Sequence, residues 1–284
     1  MAQDGGKSGM SFLKLSFGAR AAAMGDLGTA SSSDVSALNY NPAIIPTLKN
    51  PEIQFMHNEW IQDVRSEYLG TFFRLYGIPL AFGVNTTTVS DIEVRTTPSE
   101  NPDATFNANF FAASLSSGFN LFSDLYAGAT VKYLYEGIFS DNATGLGFDL
   151  GLYYLTPVEG LSLGAAYRNL GSMNDLRDTD TKLPSEVRIG ADYSRPVTGF
   201  NSVVTVGAEV QKYTEGDDTH LNLGAEVLYQ QILSVRAGYQ TGYDTRGLSL
   251  GLGVLWKGIS FDYAFVPFKL DLGSANIVSL KYRF

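Results

Sequence analysis

Residues 247–256 read Gly-Leu-Ser-Leu-Gly-Leu-Gly-Val-Leu-Trp. Leu248, Leu250, Leu252, Val254 and Trp256 occupy every second position, with Gly and Ser mostly between them. A period of two puts these five side chains on one side of an extended strand and leaves small groups on the other. The pattern spreads in both directions. Leu221, Leu223, Ala225, Val227 and Tyr229 alternate with His220, Asn222, Gly224, Glu226 and Leu228. Leu233, Val235, Ala237 and Tyr239 alternate with Ser234, Arg236, Gly238 and Gln240, and Ile259, Phe261, Tyr263 and Phe265 with Ser260, Asp262 and Ala264. This alternation runs from Pro51 to Phe284.

A soluble β-sandwich also alternates, with its apolar face turned inward. Three features favour a membrane barrel instead. The strands run to about nine to eleven residues or more, enough to cross a bilayer at a tilt, where globular strands average about five or six. Tyr133, Tyr135, Tyr153, Tyr154, Tyr229, Trp256, Phe265 and Phe268 recur near strand ends, as interfacial girdles do. The connections also alternate in length. Short ones fall at Tyr76-Gly77, residues 120–124, 156–160 and 230–232, and Lys257-Gly258; longer ones at residues 89–105, 137–145, 171–185, 214–219 and 267–274. About fourteen strands result, an even number, with short turns on one side of the membrane and longer loops on the other. The expected fold is all-β: an antiparallel transmembrane barrel over residues 51–284, with both chain termini on the periplasmic side.

Composition is consistent with this reading. The chain has 284 residues, of which 44% are hydrophobic and 17% charged, with 30 Gly, 18 Phe, 16 Tyr and no Cys. The charged fraction is below the roughly 25% of soluble domains, and no run approaches the about 18 apolar residues of a membrane helix. Lack of cysteine excludes disulfides, thiolate metal sites and cysteine nucleophiles. The net charge of −9 offers no footprint for nucleic acid. No cofactor or metal is expected. Residues 1–4, Met-Ala-Gln-Asp, carry no basic segment before an apolar one, so an exported form implies a signal peptide already removed.

Residues 1–50 differ. Residues 16–30 are rich in Gly and Ala without a period of two. Asp34 is placed to cap residues 35–40, and Asn41-Pro42-Ala43 reads as a second helix start, with Asn41 as cap and Pro42 in the first turn. This region is expected to be a compact plug.

Two segments, Gly247-Leu248-Ser249-Leu250-Gly251 and Gly160-Leu161-Ser162-Leu163-Gly164, match the G-x-S-x-G nucleophile elbow. That elbow needs a strand, a strained turn and a helix, whereas both copies lie within strands, where Ser and Gly fill the small face. His57 and His220 are the only histidines, and neither has metal-ligand spacing. His220, after Asp217 and Asp218, reads as a solvated loop histidine. The polar faces carry Arg74, Lys132, Glu136, Asp149, Arg168, Arg188, Asp192, Glu209, Glu226, Arg236, Asp262, Lys281 and Arg283. On a lipid face an Arg or Lys near the midplane costs about 2–4 kcal/mol, so these residues belong in the lumen. Their mixed signs suggest an ion-pair network that braces the barrel and docks the plug rather than a selective pore. No run of apolar residues marks a binding pocket in the lumen. At the C-terminus Val278, Leu280, Tyr282 and Phe284 share a face, and a last strand ending in Phe284 is similar to the assembly signal of outer-membrane proteins.

The segment Gly18-Ala19-Arg20-Ala21-Ala22-Ala23-Met24-Gly25, continuing through Ala30-Ser31-Ser32-Ser33-Asp34 to Ala37-Leu38-Asn39-Tyr40-Asn41-Pro42-Ala43, resembles the N-terminal signature of the PorV/PorQ family, relatives of the FadL transporters of hydrophobic compounds. His57-Asn58-Glu59-Trp60, Tyr167-Arg168-Asn169-Leu170-Gly171 and Asp262-Tyr263-Ala264-Phe265 extend the match. The resemblance implies a fourteen-stranded plugged barrel in the bacterial outer membrane, with Arg20, Asp34, Asn41, Pro42 and Ala43 in the plug. It also implies a non-enzymatic role in type IX protein secretion, in which outer loops bind cargo or partner proteins. The FadL side of the kinship implies the alternative, passive transport of hydrophobic small molecules, with outer-membrane lipid around the barrel and a hydrophobic ligand inside. A structural anchor for a surface assembly is the third reading.

Overall fold

The computed structural model describes residues 9–98, 100–176, 181–216 and 219–284. Fourteen antiparallel strands form one closed barrel, in which each strand pairs with its sequence neighbours and the first with the last. They are β1 (Glu52–Glu59), β2 (Val64–Leu75), β3 (Ile78–Val94), β4 (Ala104–Phe122), β5 (Leu125–Ile138), β6 (Asp141–Leu155), β7 (Leu161–Met173), β8 (Glu186–Val197), β9 (Ser202–Tyr213), β10 (Thr219–Tyr229), β11 (Leu233–Thr241), β12 (Leu248–Trp256), β13 (Ile259–Pro267) and β14 (Ser274–Arg283). No described helix is long and apolar enough to cross a membrane.

The period of two decides which side chains face outward. On β12 the four apolar residues Leu248, Leu250, Leu252 and Val254 are exposed, and Ser249, Gly251 and Gly253 between them are buried. Val235, Ile189 and Leu150 continue this bare apolar wall on other strands. An apolar exterior that encircles a closed ladder has lipid as its stable solvent, because the strands pair their backbone with one another around the ring. The two-residue turns suit the strand twist: Tyr76-Gly77 and Lys257-Gly258 take positive φ at both positions, the geometry that favours Gly second.

The structure revises several boundaries. Two connections expected as long loops are shorter: of residues 89–105 only 95–103 lie outside strands, since β3 reaches Val94 and β4 starts at Ala104, and within 137–145 Phe139-Ser140 alone links β5 to β6. A bulge between Val89 and Ile92, with Asp91 at φ 57°, breaks the alternation there and hides the strand. At 17 and 19 residues, β3 and β4 form a tall lip on one side of the barrel. Of the expected aromatic girdle, Tyr153 is instead buried in the lumen and Phe268 packs edge-on to Trp60 at 5.0 Å.

Residues before β1 fill the lumen. They form a 3-10 turn at Ser11–Lys14, α1 (Ala19–Ala23), α2 (Ala37–Tyr40) and a second 3-10 turn at Pro42–Thr47. Asn41 caps this last turn, accepting a 3.1 Å bond from the Ala43 amide with Pro42 in its first position. Asp34 accepts from the Ser36 amide at 3.1 Å ahead of α2. The first and last described residues do not share one side. Phe284 lies at the turn end, where its amide donates to Pro51, whereas the Gly9 amide donates to Lys182 in the loop between β7 and β8. The plug therefore runs the length of the lumen from loop end to turn end before β1 begins, a path that strand parity cannot reveal.

Candidate functional site

The site is the lumen and what the plug leaves open within it. The barrel holds the plug in two ways, by small residues and by charge. Inward-facing glycines stand side by side across strands: Gly118, Gly128 and Gly151 on β4 to β6, then Gly207, Gly224 and Gly238 on β9 to β11. A Cβ on Gly128 would lie 2.4 Å from the Pro42 carbonyl carbon, and one on Gly224 2.4 Å from the Met24 carbonyl oxygen. The plug backbone thus rests directly on the wall backbone.

Both elbow-like segments serve this contact. Ser249 donates to the Ala23 carbonyl at 3.0 Å and accepts from the Gly25 amide at 3.1 Å, while a Cβ on Gly251 would stand 2.4 Å from that of Ala23. Ser162 donates to the Ala30 carbonyl at 3.3 Å, beside Gly164 against Thr29. Each serine faces plug backbone from within a strand, with no helix following it.

The charged residues pair across the lumen in three groups and one separate pair. Arg188 binds Asp26 at 3.0 Å, Glu186 at 3.1 Å and Glu209 at 3.0 Å. Arg168 also binds Glu186, at 2.6 Å, and Glu209 caps the plug amide of Thr29 at 2.9 Å. Lys132 and Asp149 form a separate buried pair at 2.7 Å. In the second group Arg20 binds Glu226 at 3.0 Å, and Arg236 bridges Glu226 and Asp262. In the third, Lys281 meets Asp34 at 2.7 Å and Arg283 meets Glu52 at 2.9 Å. Arg74 sits apart at the turn end and donates to the carbonyls of Pro46 and Leu48. Asp192 lies in the lumen outside these pairs. Asn41 joins plug to wall through its amide, which donates to Thr29 and Leu152. Asp26, Glu52 and Glu186 complete the network and escape sequence reasoning: one lies in the aperiodic plug and two at strand starts, where parity is undefined. Tyr282 and Phe284 face outward at the turn end in an edge-on ring contact of 4.8 Å.

The loop end is different in character. His220 is buried there, not solvated: it stacks on Tyr243 at 3.7 Å and lies edge-on to Tyr213. Asp217 and Asp218, named with it, lie outside the described residues. His57 faces outward, with Nδ1 2.5 Å from Glu67. On the tall side an apolar cavity of about 540 Å³ opens, lined by Val94, Phe106, Ile138, Phe139 and Leu176 with Asp141 and Thr181. A buried cluster that includes Phe12, Leu13, Ala112, Leu134 and Leu183 also holds Leu176 against it. This overturns the expectation of a lumen without an apolar pocket. Phe106, Ala108 and Phe110 alternate with Asn107 and Asn109, but Phe110–Ala113 is apolar on both faces, so alternation does not tell which face of the stretch turns inward.

The fold and lumen define a closed, membrane-spanning β-barrel of the outer-membrane kind, with an N-terminal segment packed inside it. Residues 2–145, half of the chain, match the family described as "Uncharacterised protein family (UPF0164)", and the chain belongs to that family. No curated protein matches it in sequence. Among solved structures it is similar to the Ralstonia pickettii toluene transporter TbuX, with TM-score 0.65 and 15% identity over 95% of this chain and 98% of that one. The Pseudomonas putida toluene transporter TodX gives 0.65 and 13% over 94% and 98%. A Pseudomonas aeruginosa FadL homologue gives 0.56 and 13% over 95% and 98%. At such identities the likeness is one of fold. It concerns the FadL-like half of the expected kinship, and none of these matches names PorV or type IX secretion.

Proposed function

We propose that this chain is a non-enzymatic, passive transporter of hydrophobic small molecules in the bacterial outer membrane. The observation that carries the reading is the apolar cavity at the loop end, whose volume of about 540 Å³ lies within the roughly 300–1,000 Å³ typical of small-molecule sites. A solute that enters it gains about 25 cal/mol for each Å² of apolar surface removed from water. The similar structures include two toluene transporters, which favours a small apolar cargo.

Beyond the cavity the route is closed at rest. The hydrogen-bonded wall is continuous around the barrel, and the plug below is held by paired charges. Onward passage therefore calls for movement of the plug segment near Gly9 or a local opening of the wall. The secretion reading, with partner proteins on the outer loops, and the anchor reading have no comparable support. The β5–β6 connection is a bare two-residue turn, and two of the similar structures named above are toluene transporters.

The test is uptake of labelled toluene by cells whose lipopolysaccharide keeps background entry low. Expression of the chain should raise the initial rate, and Phe106→Arg, which puts a charge into the cavity, should remove most of that gain. Equal uptake with and without the protein would overturn the proposal.

A further inference from the structure

The turn end of the lumen holds a second chamber, of about 410 Å³, between plug residues 30–33 and the inner faces of β6 to β10. Asp192 on β8 lines it and is only 9% exposed, yet its Oδ1 accepts no hydrogen bond. The hydroxyls of Ser31 and Ser32, on residues 8% exposed, line the same chamber and also lack partners. Arg20 also lines the chamber and acts on Asp192 through its charge, but its guanidinium donates to Glu226 and to the Ser31 carbonyl rather than to Asp192. Arg20 is held by Glu226, which also holds Arg236, and Arg236 in turn holds Asp262. Two cations and two carboxylates balance there, and the Asp192 carboxylate is left over.

A buried carboxylate is stable when a cation or hydrogen-bond donors meet it. We propose that this chamber binds a primary ammonium group carried on a small organic body. An ammonium offers three N–H donors and no acceptor, and the residues lining the chamber hold three oxygens without partners, each buried in its wall and one of them a carboxylate oxygen. Its volume far exceeds that of a single dehydrated ion. Leu155, Val203 and Leu228 also line it, which provides a surface for the apolar part of such a ligand. Ser33 beside it is exposed, so the chamber communicates with solvent at the turn end.

The test is calorimetric titration of the full-length protein in detergent with n-butylammonium chloride, with n-butanol as the neutral analogue and sodium chloride as the alkali-ion control. The expected result is saturable n-butylammonium binding, weakened at least tenfold by Asp192→Asn, with no binding of n-butanol. If Asp192→Asn fails to form a barrel by circular dichroism, the paired Ser31→Ala and Ser32→Ala variant carries the comparison and should weaken binding as well. Absence of saturable binding, equal binding by the variants, or sodium binding that n-butylammonium does not displace would each overturn the proposal. The chamber and the apolar cavity lie at opposite ends of the lumen, so this titration and the toluene assay fail independently.

Discussion

Arg188 of β8 and Asp26 of the plug meet in a 3.0 Å ion pair with almost no exposure of either side chain. The same guanidinium also serves Glu186 and Glu209 and lies 5.7 Å from the Tyr40 ring centroid. One wall residue thus ties two strands to the plug.

Arg188→Met should cost about 3–5 kcal/mol, because it leaves carboxylates buried without their cation. Denaturant titration of the heat-modifiable barrel band measures that loss. Conductance in planar bilayers should rise as the plug loosens. An unchanged midpoint together with unchanged conductance would contradict the role given to this pair.

Two glycines of one segment should behave differently. A Cβ on Gly251 would press on Ala23 at 2.4 Å, whereas one on Gly247 meets only side-chain atoms of Lys269 and Tyr239 at 3.5 Å or more. Gly251→Ala should destabilise by roughly 1–3 kcal/mol through overpacking, and Gly247→Ala should stay within about 0.5 kcal/mol. Limited proteolysis of residues 9–50 reads the difference as plug release.

Ser249→Ala removes a donor to Ala23 and an acceptor for Gly25. The Gly25 amide keeps its bond to the Ala22 carbonyl, and leaving the buried Ala23 carbonyl without the serine donor costs about 1–3 kcal/mol. The loss should appear in thermal unfolding, and wild-type protein should show no serine labelling by a fluorophosphonate probe. Stoichiometric labelling at Ser249 would revive the elbow reading.

Leu252 is exposed to the surroundings of the barrel at the middle of β12. Leu252→Arg should cost about 2–4 kcal/mol if that surface meets acyl chains. Leu270→Arg, in the loop between β13 and β14 and 75% exposed, should be nearly neutral. Equal stabilities of the two variants in refolding into lipid vesicles would argue against the assigned membrane face.

Much of the wall was legible because a strand has only two faces. Alternation at Leu248–Trp256 states which residues share a side, and the cost of a charge in lipid then assigns Arg236 and Asp262 to the lumen. It failed where the period broke, at the bulge beside Asp91, and where both faces are apolar, as around Phe110. Asp26 was invisible for another reason: the plug has no period, so its partners come from the path it takes through the barrel.

The sequence by itself determined the strand pattern, the outward apolar wall, the inward charges and small residues, and an N-terminal segment without a strand period, since each follows from local periodicity or composition. Only the tertiary structure decided that Arg188 meets Asp26, that Ser249 and Gly251 bear on Ala23, that Gly9 lies at the loop end, and that an apolar cavity opens beneath the tall lip. Parity fixes the direction in which a side chain points, but what stands opposite depends on closure of the ring and on the route of the plug. Those are contacts between residues as far apart in sequence as Ala19 and Ser279, and no local pattern encodes them.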